Sequence, residues 1–338
     1  MLFYLFMTIY CTPYNALIAE LGDTQKNRIN VSTYISFTYI AGFSVAYLLP
    51  NLAGLFESAV GRASAVRIAI AILAAIAAIA MLVPSFLIKE REYISSEPVK
   101  TKAFSSLFKS FKNGQFRRFV YSDVIYFFAV TLFQTGLAFY ITRLMHADEG
   151  NSFVLTVMMS VVSLCLYPAV NKLAPKFGKK KIVVAGFFAY AAVFLITVFC
   201  GEGMGWGYLI AVMAGVPMAI LGILPQAVVA DIAEADAAET GEQRNGMFFA
   251  ARTFAMKMGQ AIALLAFTSI TVSQTELSYR ITAIVATVCC LIGAVLFLFY
   301  NEKQVMDTIV AANQNKESAE SETAEEIAAQ SAAEESGE

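Results

Sequence analysis

The residue with the most chemical potential in this sequence is an ammonium group set inside an apolar run. Lys257 lies well within the stretch 246–270, and Thr253 and Gln260 share its helical face at spacings of four and three residues. A lysine in hydrocarbon costs about 2.5 kcal/mol or more unless it faces a cavity or a partner. Either the stripe lines a polar cavity and binds a polar solute, or Lys257 snorkels back to the nearer surface. Arg252, one turn closer to that surface, reads as an interfacial anchor or a gate residue.

Three further sets of polar residues interrupt apolar runs. Asp123, Tyr126, Val130 and Gln134 recur near helical spacing along 119–143. Asp123 is either a helix-end charge or a gate. The Gln134 amide either reads a solute hydroxyl or holds two helices together, a contact worth only about 0.6 kcal/mol on average. Thr8, Tyr10, Tyr14 and Asn15 are the polar positions around Pro13 in the first run. Asp231 and Glu234 close the run 207–229, while Lys172, Lys176, Lys179, Lys180 and Lys181 crowd one connection. Ion pairs between these groups would close a gate; the plainer reading is surface charge, and it is strong for the lysines.

Other chemistries are excluded by what the chain lacks. One histidine, His146, and five cysteines without metal-ligand spacing leave no basis for a metal site. Cys11, Cys165, Cys200, Cys289 and Cys290 all sit in or beside apolar runs and read as free, buried thiols. No phosphate-cradling lysine loop and no nucleophile elbow is present. The expectation is a protein that is not an enzyme, has no cofactor and has no nucleic-acid partner.

The elements that must position these residues are membrane spans. Of 338 residues 58% are apolar and only 15% charged, with a mean hydropathy of +0.63. A soluble domain would carry about 25% charged residues. Nine runs approach the length of about 20 apolar residues that a bilayer crossing needs: 1–19, 34–56, 65–88, 119–143, 152–171, 182–200, 207–229, 246–270 and 279–300. Each must be helical, because hydrocarbon offers the backbone no other hydrogen-bond partner. Basic residues alternate between the connections. The positive-inside rule puts Lys26, the 89–118 connection, the 172–181 lysines, Arg244, Lys303 and the C-terminus in the cytoplasm. The reading is a multi-pass protein of the plasma membrane, the cell inner membrane of a bacterium. The expected partners are the bilayer and a small polar solute, and the expected state is a monomer.

The domain plan has four parts. Residues 1–88 form a three-span partial bundle. Residues 89–118 form a basic connection holding an amphipathic helix around Ser105–Lys112. Residues 119–300 form a six-helix bundle, and 301–338 an acidic, disordered tail rich in Ala, Glu and Ser.

Specific motifs then narrow the class. Pro13-Tyr14-Asn15-Ala16-Leu17-Ile18-Ala19-Glu20-Leu21 closes the first span. Pro225-Gln226-Ala227-Val228-Val229-Ala230-Asp231-Ile232-Ala233-Glu234 closes the seventh. Thr240-Gly241 through Gly246 leads into Phe254, Lys257, Gly259 and Gln260 of the eighth, and Phe177-Gly178-Lys179-Lys180-Lys181 follows the fifth. At these residues the sequence resembles the glycoside–pentoside–hexuronide:cation symporters, the melibiose-carrier branch of the major facilitator fold. The resemblance covers roughly residues 1–300. It implies an all-α integral membrane bundle in which the nine spans are helices four to twelve of a twelve-helix carrier, with three helices missing before Met1. It also implies symport of a sugar or glycoside with Na⁺ or H⁺ by alternating access.

Their polar placement in the spans makes Tyr14, Asn15, Tyr126, Gln134, Thr253, Lys257 and Gln260 the candidate substrate-binding residues, and for the Thr253–Lys257–Gln260 stripe the resemblance implies the same. By that resemblance Thr8 helps hold the cation, and Asp123, Asp231, Glu234 and Arg252 are the candidate gate residues. Two positions depart from the melibiose pattern: Cys11 stands where an Asp contacts sugar and cation, and Ile35 where an Arg contacts sugar. The departures point to a different glycoside, or to H⁺. Two other readings stand beside this one. One is a truncated, non-transporting remnant or sensor; the other is a carrier of an amphiphile on the same fold.

Overall fold

The computed structural model describes residues 10–11, 25–46, 48–87, 109–147, 151–242 and 244–314. Thr8, Tyr14 and Asn15 lie outside the described residues, as do residues 105–108 of the amphipathic stretch 105–112 and the chain beyond residue 314.

Every long element among the described residues is a helix: α1 (Gln25–Ala46), α2 (Leu49–Val60), α3 (Arg62–Leu87), α4 (Gly114–Phe139), α5 (Asn151–Phe177), α6 (Lys179–Phe199), α7 (Met204–Thr240), α8 (Asn245–Ile270) and α9 (Glu276–Leu298). A tenth helix, α10, covers 302–314. Seven of them, α3 to α9, are long and apolar enough to cross a membrane.

The expected span 34–56 is replaced by two helices. A turn at Leu48 ends α1, and α2 restarts with Pro50 in its first turn. Proline lacks the N–H that would continue the helical ladder, and it disfavours helical backbone at the residue before it. With 12 residues, α2 is also too short to cross alone. At its other end, α1 begins well before residue 34, in polar sequence. Tertiary packing holds it there, because Ile29, Ser32 and Ser36 are buried and α1 contacts α5 and α7.

The six helices α4 to α9 form a tight bundle. Helix α9 packs between α4 and α6, α5 lies on α7, α7 lies on α6, and α8 lies on α4. Small residues allow this closeness where lipid supplies no hydrophobic drive. Gly259 shows the limit: a Cβ there would stand 2.7 Å from the Val124 carbonyl of α4. Helix α3, by contrast, packs on α2 and leaves Ile70, Ile76 and Ile79 more than half exposed, as a lipid-facing surface does.

Two boundaries shift with consequences for function. Helix α7 runs 37 residues, about 55 Å, against a hydrocarbon core of about 30 Å. The helix is therefore longer than the hydrocarbon core, and its polar C-terminal part, with Asp231, Glu234 and Asp236, is the part composed for water. Residues 302–314, which composition assigns to a solvated tail, are helical because Val305 and Ile309, one turn apart, are buried against the bundle.

Candidate functional site

The stripe on α8 is formed as the spacing predicts. Ala251, Ala255, Gly259 and Ala263 occupy the buried face that meets α4. Thr253, Lys257 and Gln260 stand together on a half-buried face beside it. The Lys257 ammonium donates to Gln260 Oε1 at 3.2 Å, and the Thr253 hydroxyl donates to the Phe249 carbonyl. Lys257 is also close enough to Cys11, in the first span, to act on it electrostatically. The Lys257 ammonium is thus held against Gln260 on its own helix, on a half-buried face.

The stripe on α4 divides. Asp123 is buried and takes a two-point hydrogen bond from Arg252: Nε to Oδ2 at 2.8 Å and Nη2 to Oδ1 at 3.2 Å. The guanidinium carbon lies 5.6 Å from the Phe119 ring centre and 6.0 Å from that of Phe127. Two carboxylate bonds and two ring faces offset the desolvation of both charges. Arg252 is thus a strut between α4 and α8, not an interfacial anchor. Tyr126 corrects the substrate assignment more strongly. It is buried and packs within 6 Å of the Phe127, Phe187 and Tyr190 rings, in the interior of the second bundle. Gln134 lies on the same helical face as Asp123 and Phe127, three turns on, but it is exposed. Along this face, close packing at the basic end gives way to open space.

Lys179 is not the surface charge that its connection implied. It is completely buried and forms an ion pair with Asp231. The adjoining end of α6 is closed by α10, where Glu302 accepts from the backbone N–H groups of Lys179 (2.7 Å) and Lys180 (2.9 Å). A carboxylate at a helix N-terminus satisfies two otherwise orphaned donors and complements the helix dipole. A second cluster lies nearby, where Asp236 accepts from Arg244 at 2.6 Å and from the Asn113 amide at 3.0 Å. The sequence offers Lys179 as one of five lysines that could pair with Asp231 but does not single it out, and it carries no signal for the roles of Asp236, Arg244 or Glu302, which lie in polar sequence.

The ion pairs of Asp123, Asp231 and Asp236 all join helices of the second bundle. Among the described residues, hydroxyl groups make contacts that cross to the first. The Thr33 hydroxyl of α1 is shared between the Ile29 carbonyl (2.7 Å) and Asn171 Oδ1 of α5 (2.8 Å). The Ser36 hydroxyl reaches the Gly222 carbonyl of α7 at 2.8 Å. The Tyr167 hydroxyl of α5 lies beside Ser36 and Ser163. Ser32 Oγ and Gln226 Oε1, one turn further toward the basic side, are buried without a hydrogen bond among the described residues. This seam runs from the basic ends of α1, α5 and α7 to about mid-helix. It leaves no mark in the sequence, because isolated Ser and Thr residues are common in membrane helices.

A tight bundle, a half-buried lysine within a span and a hydroxyl-lined seam against a second set of helices have the plan of a carrier. The MFS/sugar transport protein family matches residues 1–304. The chain belongs to this family. It is a multi-pass membrane protein, and the family is one of transporters, not enzymes. Among solved structures, the E. coli fucose:proton symporter FucP aligns with a TM-score of 0.61 at 14% identity, over 86% of this chain and 73% of that one. A second FucP structure, described as a major facilitator transporter in the outward conformation, gives 0.57 at 16% identity, over 86% and 72%. At these identities the likeness establishes the major facilitator fold. No curated protein matches the sequence.

Proposed function

We propose that this protein is a secondary active transporter that moves a sugar or glycoside together with a cation, Na⁺ or H⁺, by alternating access. One observation carries the reading: Lys257, near the middle of α8, holds its ammonium against Gln260 on a half-buried polar face that also carries Thr253. A lysine and an amide on such a face, within a membrane span, suit hydroxyl recognition and alternating exposure.

In this reading Thr253, Lys257, Gln260 and Gln134 line the cavity, and Tyr126 supports it from within the bundle. Thr8, Tyr14 and Asn15 would complete it from the first span. The basic side is cytoplasmic, and the α1–α5–α7 seam is the contact that opens toward it. Asp123 with Arg252, and Lys179 with Asp231, keep the second bundle rigid as it moves. The resemblance to the glycoside–cation symporters supports a sugar substrate, and Cys11 and Ile35 support one other than melibiose.

The test is uptake of a panel of labelled sugars and glycosides into proteoliposomes, under imposed Na⁺ or H⁺ gradients. Wild type should accumulate at least one of them, and Lys257→Ala should abolish that accumulation while the protein stays folded. Uptake indifferent to Lys257→Ala would remove the lysine from the site. No gradient-driven uptake of any member would overturn the function.

A further inference from the structure

A separate site sits at the basic ends of the helices, on the outer surface of the second bundle. Helix α9 ends between α4 and α6, and a cleft of about 600 Å³ opens there. Arg118 of α4 and Lys180 of α6 line it together with Tyr121, Leu298, Phe299 and Asn301. Neither Arg118, which is exposed, nor Lys180, which is half-buried, has an ion-pair partner among the described residues. No carboxylate lines the cleft. The nearest acidic group in sequence, Glu302, is occupied by the backbone N–H groups of Lys179 and Lys180. Below the two cations, Tyr121, Leu298 and Phe299 are 56%, 51% and 63% exposed. The cleft is therefore cationic at its rim and apolar toward the hydrocarbon.

The geometry points to a binding site for one anionic phospholipid, its headgroup phosphate held between Arg118 and Lys180 and an acyl chain lying along Tyr121, Leu298 and Phe299. Basic pockets between transmembrane helix ends suit such headgroups, because two fixed cations meet a phosphate at the depth where it lies. Arginine adds a planar fork that matches phosphate oxygens, and an interfacial tyrosine suits the boundary of headgroup and chain. A free phosphate ion has the same headgroup chemistry but gains nothing from the apolar wall, so the lipid is the occupant proposed. The site lies outside the solute path and does not depend on what is transported.

Native mass spectrometry of the full chain, exchanged into phosphatidylcholine with added phosphatidylglycerol, tests this. Wild type should retain one phosphatidylglycerol, and Arg118→Gln/Lys180→Gln should weaken retention about 25-fold, the ratio that two basic residues confer near anionic lipid. The charge-conserving pair Arg118→Lys/Lys180→Arg should keep the lipid, which separates lost charge from lost folding. Lys172→Gln/Lys176→Gln, exposed and outside the cleft, should leave retention unchanged. Equal retention by wild type and Arg118→Gln/Lys180→Gln would overturn the proposal. So would an equal loss in Lys172→Gln/Lys176→Gln, which would reveal diffuse attraction only. Displacement of the lipid by inorganic phosphate would replace it with an ion site.

Discussion

The interior of the second bundle and its seam with α1 use different bonds. Inside the bundle, charges meet charges: Lys179 with Asp231, Arg252 with Asp123, Arg244 with Asp236. Across the seam, hydroxyls meet a side-chain amide and a backbone carbonyl: Thr33 with Asn171, Ser36 with Gly222. Removing one partner of a buried ion pair costs about 3–5 kcal/mol. A polar contact between membrane helices averages about 0.6 kcal/mol. In the alternating-access cycle proposed above, the bundles would stay intact while the seam parts. On that reading, the described charge pairs stand where nothing must move and the described hydroxyl contacts where something must.

Four substitutions test the contrast, in descending order of effect. Asp231→Asn leaves the fully buried Lys179 uncompensated, and thermal unfolding in detergent should show a loss of about 3–5 kcal/mol. Joint replacement, Lys179→Met with Asp231→Leu, should recover most of it, since an apolar pair needs no desolvation. If Asp231→Asn is as stable as wild type, the pair is not a strut. Gly259→Ala drives a methyl toward the Val124 carbonyl, and overpacking of this kind costs about 1–3 kcal/mol. It should also lower any uptake, because α8 carries Lys257. A smaller effect, about 1–2 kcal/mol, is expected for Glu302→Ala, which uncaps α6. Proteolysis within 302–314 should quicken in that variant. An unchanged cleavage rate would show that α10 is held by Val305 and Ile309 alone. Ser36→Ala should be smallest in stability, about 0.6 kcal/mol, yet visible in mechanism. A shift of that size changes a two-state ratio about threefold, and thiol labelling of an added cysteine at Ser163 should rise accordingly. A large stability loss in Ser36→Ala would erase the distinction between seam and interior.

Part of the site is legible in the sequence alone. Lys257 stands out because an ammonium in an apolar run demands an explanation, and helical spacing is enough to join Thr253 and Gln260 to it. Asp123 and Arg252 are each visible, but not as partners, because 129 residues separate them. The spacing rule that joins Thr253, Lys257 and Gln260 also puts Tyr126 on a polar face, whereas it is buried among aromatic rings. Periodicity identifies a face but not what it meets, and here it meets aromatic rings. Composition misleads in the region of 301–314, where two apolar residues one turn apart, Val305 and Ile309, outweigh a polar surrounding.

The sequence by itself determined the class of molecule: helices that cross a bilayer, a basic and a less basic side, a buried lysine that needs a partner, and motifs shared with sugar carriers. These are local properties, set by side-chain transfer energies over about 20 residues and by the backbone's need for internal hydrogen bonds. The tertiary structure alone decided that Asp123 pairs with Arg252, Asp231 with Lys179 and Asp236 with Arg244 inside one bundle, and that hydroxyls on α1 meet the Asn171 amide of α5 and the Gly222 carbonyl of α7. Those outcomes depend on contacts between residues far apart in the chain, whose spacing carries no period for a sequence to display.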